Sequence, residues 1–395
     1  MSAHDGVVTQ TVAPELELVI AAARFALAPA SAARIQPLAA AVIDWPAALS
    51  TAEAHRVVPF VARNLVAHAG GAVPADVQRA FARSVHAVAV RGLRATAELA
   101  RLMRAFGDAG VTALPYKGPA LAVAAYGDPG CRASADLDFV VRPSEYAAAR
   151  RALLAAGYVS SKGLTLAQER VIYSAYGHAP FIRVGHRAAP FVELHWRFAD
   201  PRFRWNPSVD DVLARAMPGV LGGVTMPICS TEDHLMLCLL HGTRHLWSEL
   251  EWLVAVDALI RRHDPDLPLV LHRAADVGGC RAALVGLALG RDVLGTSLSE
   301  PIVTALRRDV LVSELVVTAR RVLEGSAGPD ADTNAFVRAF HLACLDERSD
   351  TARYLAASTL LPSPRELEVL RVPDSLTFLY YPLRLARLLT RTRSK

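Results

Sequence analysis

The chain has 395 residues, 52% of them hydrophobic and 21% charged. This describes a globular, Ala/Leu/Val-rich protein with room for two or three packing units, and it excludes a disordered one. No apolar run reaches the length of a membrane span, because Arg24 interrupts the first candidate and "HLMLCLLHG" is too short. A net charge of +5 suits a polyanionic ligand such as a nucleotide or RNA, although the excess is small for a dedicated nucleic-acid binder.

In chain order, "MSAHDGVVTQTVAPE" has no basic segment followed by an apolar one, so no signal peptide is expected. Five dispersed cysteines without CxxC spacing fit reduced thiols, and both signals point to the cytoplasm. Residues 15 to 100 read mostly as helices, with "PADVQRAFARSVHAVAVRGLRATAELARLMRAFGDAG" a long helix or a pair that stops at Gly107 and Gly110. The period then changes. "VTALPYKG" (111–118) reads as a short strand, "PALAVAAYG" (119–127) as a helix opened by proline, and "DLDFVVR" (136–142) as a second strand. A helix follows over 143–158, and "FIRVG" (181–185) with "PFVELHWRF" (190–198) completes a small sheet. From about residue 208 onward only helices are expected. The fold class is therefore α+β: a small mixed sheet with flanking helices (99–206) between an N-terminal (1–98) and a C-terminal (207–395) helical region.

Two aspartates in "DLDFVV" raise the chemical question. On a strand, Asp136 and Asp138 project to one face about 6.5 Å apart, while Leu137 and Phe139 face a core. Carboxylates so placed grip hard cations such as Mg²⁺, and a two-metal site would call for a third acid, for which Glu193 in "FVELHW" is the best candidate. A solvated edge strand is the plainer reading, and the apolar "FVV" that follows speaks against it. Upstream, Lys117 and Gly118 end a strand and open a helix, a geometry that presents an ammonium and backbone N–H groups to phosphate. Arg132, four residues before Asp136, is placed for a triphosphate or substrate; as plain structure these three are a turn glycine and two surface cations.

Within 230–260, His234, Cys238, His241 and His245 form one helical stripe. It spans roughly 16 Å, too long for one tetrahedral ion, and reads as polar residues facing the site, with His241 and His245 kept as substrate-side contacts. Asp257 sits in an apolar helix, either as a surface carboxylate or as a partner for Lys117 or Arg132. His195 shares the face of Glu193 by the period-two rule. The final "YYPLRLARLLTRTRSK" is a cationic helix end or, less simply, a membrane-surface contact.

The stretch "LPYKGPALAVAAYGDPGCRASADLDFVV" resembles the nucleotidyltransferases of the DNA polymerase beta type. It looks closest to an uncharacterised bacterial nucleotidyltransferase family with a K-G-x-x-L … R-x-x-x-D-x-D core, an E-L-H-W strand and a later H-G-x-x-H-x-W helix, and it is similar to toxin-type nucleotidyltransferases. The resemblance spans about residues 100 to 260. It implies a polymerase-beta-like core, with Asp136, Asp138 and Glu193 as catalytic acids and ligands of Mg²⁺ or Mn²⁺, and Lys117, Gly118 and Arg132 at the phosphates. The implied reaction passes a nucleoside monophosphate from an NTP, ATP or another ribonucleotide, to a tRNA, a protein or peptide, or a small molecule. Glu193 and Asp138 both stand as candidate bases. One departure is Pro119, where the usual turn carries a second glycine or a serine; proline removes an N–H donor. Two other readings stay open: an inactive nucleotide binder, and a helical partner-binding protein in which the DxD is incidental.

Overall fold

The computed structural model describes residues 13–42, 44–186, 188–325 and 333–391. The signal-peptide expectation rests largely on residues 1–12, and the last four basic-tail residues are 392–395; both stretches lie outside the described residues. Among the described residues no helix is long and apolar enough to cross a membrane.

Five short strands form one mixed sheet: β1 (Leu114–Pro115), β2 (Asp136–Val140), β3 (Tyr158–Ser160), β4 (His178–Arg183) and β5 (Phe191–His195), in the spatial order β1-β2-β5-β4-β3. The β2–β5 pair is parallel and sets Asp138 beside Glu193 and Val140 beside His195; all other pairs are antiparallel. Strand β4 begins three residues earlier than expected, at His178, and runs through Pro180. Proline argues against an interior strand, which is why the sequence reading started after it. A second difference is β3, since the helix expected over 143–158 ends at Ala155 and Tyr158–Ser160 pairs with β4. A third lies beyond residue 208, where "MPGVLGGVTMPI" is a hairpin of β6 (Met217–Leu221) and β7 (Val224–Ile228) rather than helix. Its turn is Gly222-Gly223, both at positive φ, the two-residue connection that suits strand twist. Gly222 lies against the long helix, where an added Cβ would stand 2.9 Å from the Ala100 methyl.

The long apolar-faced stretch is one helix, Ala75–Asp108, about 50 Å from end to end. Its length matters because it serves two cores. Phe81 packs with Leu18, Phe60, Leu253, Val254 and Leu287, so the N-terminal helices share a core with the helices beyond residue 230. Leu99, Leu102 and Phe106, near its other end, pack on Leu137, Phe139 and Leu194 of the sheet. The boundary expected after residue 98 therefore falls inside this helix. The "STEDHLMLCLLHGTRHLWSELEWLVAVDALI" segment is two helices, Thr231–Arg244 and Leu250–His263, and Trp247 between them is fully buried.

The C-terminal helix Tyr380–Arg391 folds back onto the sheet side, with Tyr380 buried. Arg387 Nε donates to Glu366 Oε1 at 2.6 Å and Arg384 stands 3.7 Å from the same oxygen, so two of the tail's cations are spent inside the protein.

Gly92 marks the closest approach of the long helix to the loop that carries Arg132. An added Cβ would lie 2.2 Å from the Pro129 carbonyl oxygen and 2.9 Å from that of Arg132, both backbone atoms. Gly92→Ala is expected to destabilise the protein by about 1–3 kcal/mol, read as a lowered midpoint in urea denaturation.

Candidate functional site

Lys117 and Gly118 sit where β1 gives way to the helix Gly118–Tyr126. Gly118 has φ +55°, and a Cβ there would meet Ser134 Oγ at 3.3 Å and the Asp136 carbonyl at 3.4 Å, so only glycine makes this turn without strain. The turn brings Lys117 Nζ to 2.8 Å from Asp138 Oδ1. His195 Nε2 reaches the same oxygen at 3.1 Å and Glu193 Oε2 at 3.3 Å, and its Nδ1 lies 3.3 Å from the Tyr116 hydroxyl. The cations that make the buried aspartate tolerable are thus Lys117 and His195.

The electrostatics follow from this packing. Burial alone would raise Asp138, but Lys117 and the His195 ring outweigh it and hold the carboxyl well below the usual range. Burial opposes the charged His195 ring, yet its hydrogen bonds to Asp138 and Glu193 raise its pKa. Glu193 is lowered, its burial outweighed chiefly by the bond to His195. Asp136 differs. Burial and the nearby Asp138 raise its pKa, and its half-buried carboxyl has neither hydrogen bond nor ion pair among the described residues. Glu193 and Asp138, both held low, are therefore weaker bases than Asp136, contrary to the roles expected of them.

The three acids share one face, but among the described residues the group whose ligand atoms all lie within 4.8 Å of one another is His178, Glu193 and His195. His178 was not foreseen. It faces His195 across the antiparallel β4–β5 pair, with Nε2 at 3.5 Å from Glu193 Oε1 and ring centroids 4.5 Å apart. Burial and the neighbouring His195 push its pKa down to about 3.

Arg132 is not free for a phosphate. Its Nε donates to Glu251 Oε1 at 2.7 Å and Nη2 to Oε2 at 3.3 Å. Asp257, expected near Lys117 or Arg132, instead takes Arg261 Nε at 2.8 Å and the Thr296 hydroxyl at 2.7 Å. The helix was right and the acid wrong, because Glu251, a turn and a half earlier, is the charge that faces the site. His241 lines a cavity of about 30 Å³ with Tyr116, Lys117, Arg132 and Trp252, room for one or two waters and far too small for a nucleotide. His245 is exposed, with its ring 4.5 Å from that of His241. His234, deeper on the stripe, bonds the Tyr116 carbonyl through Nε2 at 2.6 Å.

The start of the helix Gly118–Tyr126 is a poor anion cradle by itself. Pro119 has no N–H, and the Ala120 and Leu121 N–H groups both point to the Lys117 carbonyl, which leaves that of Gly118. Ser134, also missed, stands beside it with a buried hydroxyl that has no partner. Next to this segment a groove of about 480 Å³ is lined by Ala133, Ala135, Arg56, Ser84 and Arg91, a volume within the range of ligand pockets.

A family model described as an uncharacterised nucleotidyltransferase matches residues 41–295, well over half of the chain. The chain belongs to this nucleotidyltransferase family. The match reaches further on both sides than the motif-bearing stretch of about 100 to 260, and it takes in helices from both halves of the shared helical core. A comparison with curated proteins finds no match. The mixed sheet with its helices is consistent with a nucleotidyltransferase fold.

Two measurements check the site's wiring. Glu251→Gln should cost about 3 kcal/mol by leaving the buried Arg132 uncompensated, and Arg132→Met with Glu251→Leu should recover most of the loss in urea denaturation. His234 is protonated in the unfolded chain near pH 6.5, but burial lowers its folded-state pKa to about 4. The unfolded state therefore binds more protons between these values, so stability falls as the pH is lowered through that window, by up to about 3 kcal/mol from this residue. His234→Gln is expected to flatten that slope.

Proposed function

We propose that the protein transfers a nucleoside monophosphate from an NTP, ATP or another ribonucleotide, to a hydroxyl or phosphate on a tRNA, a protein or peptide, or a small molecule. The sheet order, with the DxD strand parallel to the Glu193 strand, supports a polymerase-beta-like core. The observation that carries the reading is the Asp136 carboxyl, raised in pKa beside Asp138 and Glu193 and without a cation in contact. Such a set of hard oxygen donors fits Mg²⁺ or Mn²⁺, which Asp136, Asp138 and Glu193 would hold. When bound, the metal neutralises the triphosphate, favours the acceptor alkoxide and stabilises the pyrophosphate leaving group.

The chain's own residues do the rest. Lys117 holds Asp138 with an ammonium 2.8 Å away, and with a metal at Asp138 that ammonium would be the cation nearest to serve the phosphate. Ser134 Oγ and the Gly118 N–H supply donors to the same phosphate, the hydroxyl taking over from the serine that Pro119 replaces in the turn. Arg132, tied to Glu251, fixes the loop that leads into β2 and so positions Asp136. His195, raised in pKa, bonds Asp138 through Nε2 and the Tyr116 hydroxyl through Nδ1, which orients the acidic face. Asp136, which has no hydrogen bond or ion pair among the described residues, would be the acid most open to complete that metal set.

A second reading, nucleotide binding without transfer, is favoured by the sparse donors at the Gly118 turn and by the engagement of Lys117 and Arg132. Incubation with α-³²P-labelled NTPs and total cell extract separates the two. Transfer predicts a labelled acceptor and released pyrophosphate, both reduced at least about a hundredfold in Asp136→Asn. That variant should melt no lower than the wild type, because the lost charge has no partner. NTP binding without pyrophosphate release supports the second reading, and absence of Mg²⁺-dependent NTP binding sinks both.

A further inference from the structure

We infer that His178, Glu193 and His195 form a binding site for a transition-metal dication such as Co²⁺, Cu²⁺ or Zn²⁺, which shares Glu193 with the all-carboxylate set around Asp136 and adds two imidazoles to it. The two imidazoles approach different oxygens of one carboxylate: His178 Nε2 is 3.5 Å from Glu193 Oε1, and His195 Nε2 is 3.3 Å from Oε2. Asp138 Oδ1, 3.1 Å from that same His195 nitrogen, lies outside this group and is held by Lys117 at 2.8 Å. Ligands held about 2.0–2.2 Å from one ion stand about 3 to 3.5 Å from each other, the spacing found here.

Hydrogen bonding alone explains the cluster poorly. One Nε2–H of His195 faces two carboxylates, and it can serve only one of them well. The His178 ring has Glu193 as its acidic neighbour at the edge of bonding distance, and its buried Nδ1 has no partner among the described residues. Two rings with centroids 4.5 Å apart and planes tilted by 34°, their nitrogens turned to one carboxylate, are an arrangement that a shared cation rewards. Nitrogen donors also set the preference, since imidazole suits Zn²⁺, Cu²⁺ and their neighbours while Mg²⁺, Ca²⁺ and Mn²⁺ favour oxygen. The fold holds these ligands rigidly, because His178 and His195 are register partners on β4 and β5, and Glu193 lies two residues before His195 on the same face.

Glu193 is shared with the proposed transfer reaction, but the inference stands or falls separately, and the test reads metal rather than activity. Metal-stripped full-length protein is titrated with Co²⁺ and followed by its visible d–d absorption, with circular dichroism to confirm folding. The expected result is one equivalent bound in the wild type and in Asp136→Asn, and affinity at least about tenfold weaker in His178→Gln. Failure of NTP transfer with Co²⁺ bound in this way leaves the metal site intact. The inference is overturned if folded His178→Gln binds like the wild type, if Asp136→Asn loses binding as His178→Gln does, or if the wild type takes up no Co²⁺. Should His178→Gln not fold, pulsed EPR of one equivalent of Cu²⁺ on the wild type decides the matter: ¹⁴N modulation from imidazole supports the site, and its absence overturns it.

Discussion

Asp138 is almost fully buried, and a buried carboxylate survives only if something pays back its lost hydration. Lys117 and His195 do so from two sides, one delivered by the glycine turn after β1 and the other by β5. The carboxyl in turn raises the pKa of both partners, so the three depend on one another. This triangle fixes the relative positions of β1, β2 and β5, and with them every polar group that the acidic face presents.

The triangle also leaves Asp136 uncompensated. Two like charges two residues apart on a strand cannot both be neutralised by one ammonium, and the one that receives Lys117 is the deeper. The asymmetry divides the acids by role: Asp138 and Glu193, lowered and bonded, are ligand-like, whereas Asp136, raised and unpartnered, is the reactive or cation-seeking one. Hard oxygen donors on β2 pass into nitrogen donors on β5 and β4 along one continuous floor.

The site lies where two cores meet. The long helix contributes one end to the helical core and the other to the sheet, and Gly92 lets it touch the loop that carries Arg132. Arg132 then spans from that loop to Glu251 on the helix Leu250–His263, so the acidic strand is anchored to the helical core by a buried ion pair. Helices from both sides of the sheet in sequence share one core, which gives a physical reason for the family match to extend from residue 41 to residue 295.

Local chemistry was enough to read much of this from the sequence. The period-two run around Asp136 and Asp138, the strand bearing Glu193 and His195, the glycine turn at Lys117-Gly118 and the long helix ending near Gly107 all depend on neighbours in the chain, and the structure has each of them. The features that were missed depend on partners distant in the chain. His178 gains meaning only when β4 lies antiparallel to β5, and it sits before Pro180 in the part of that strand the sequence did not reveal. Whether Glu251 or Asp257 meets the site is a question of which helix face packs inward, and both acids sit in equally apolar surroundings in the sequence. The Gly-Gly hairpin was legible from its turn, but its strands are short and carry prolines. Sequence by itself determined which side chains share a strand face or a helix stripe, because the backbone period dictates that. Which opposite charges pair across those elements was decided by tertiary packing, since desolvation makes a carboxylate take whatever cation the fold brings within reach.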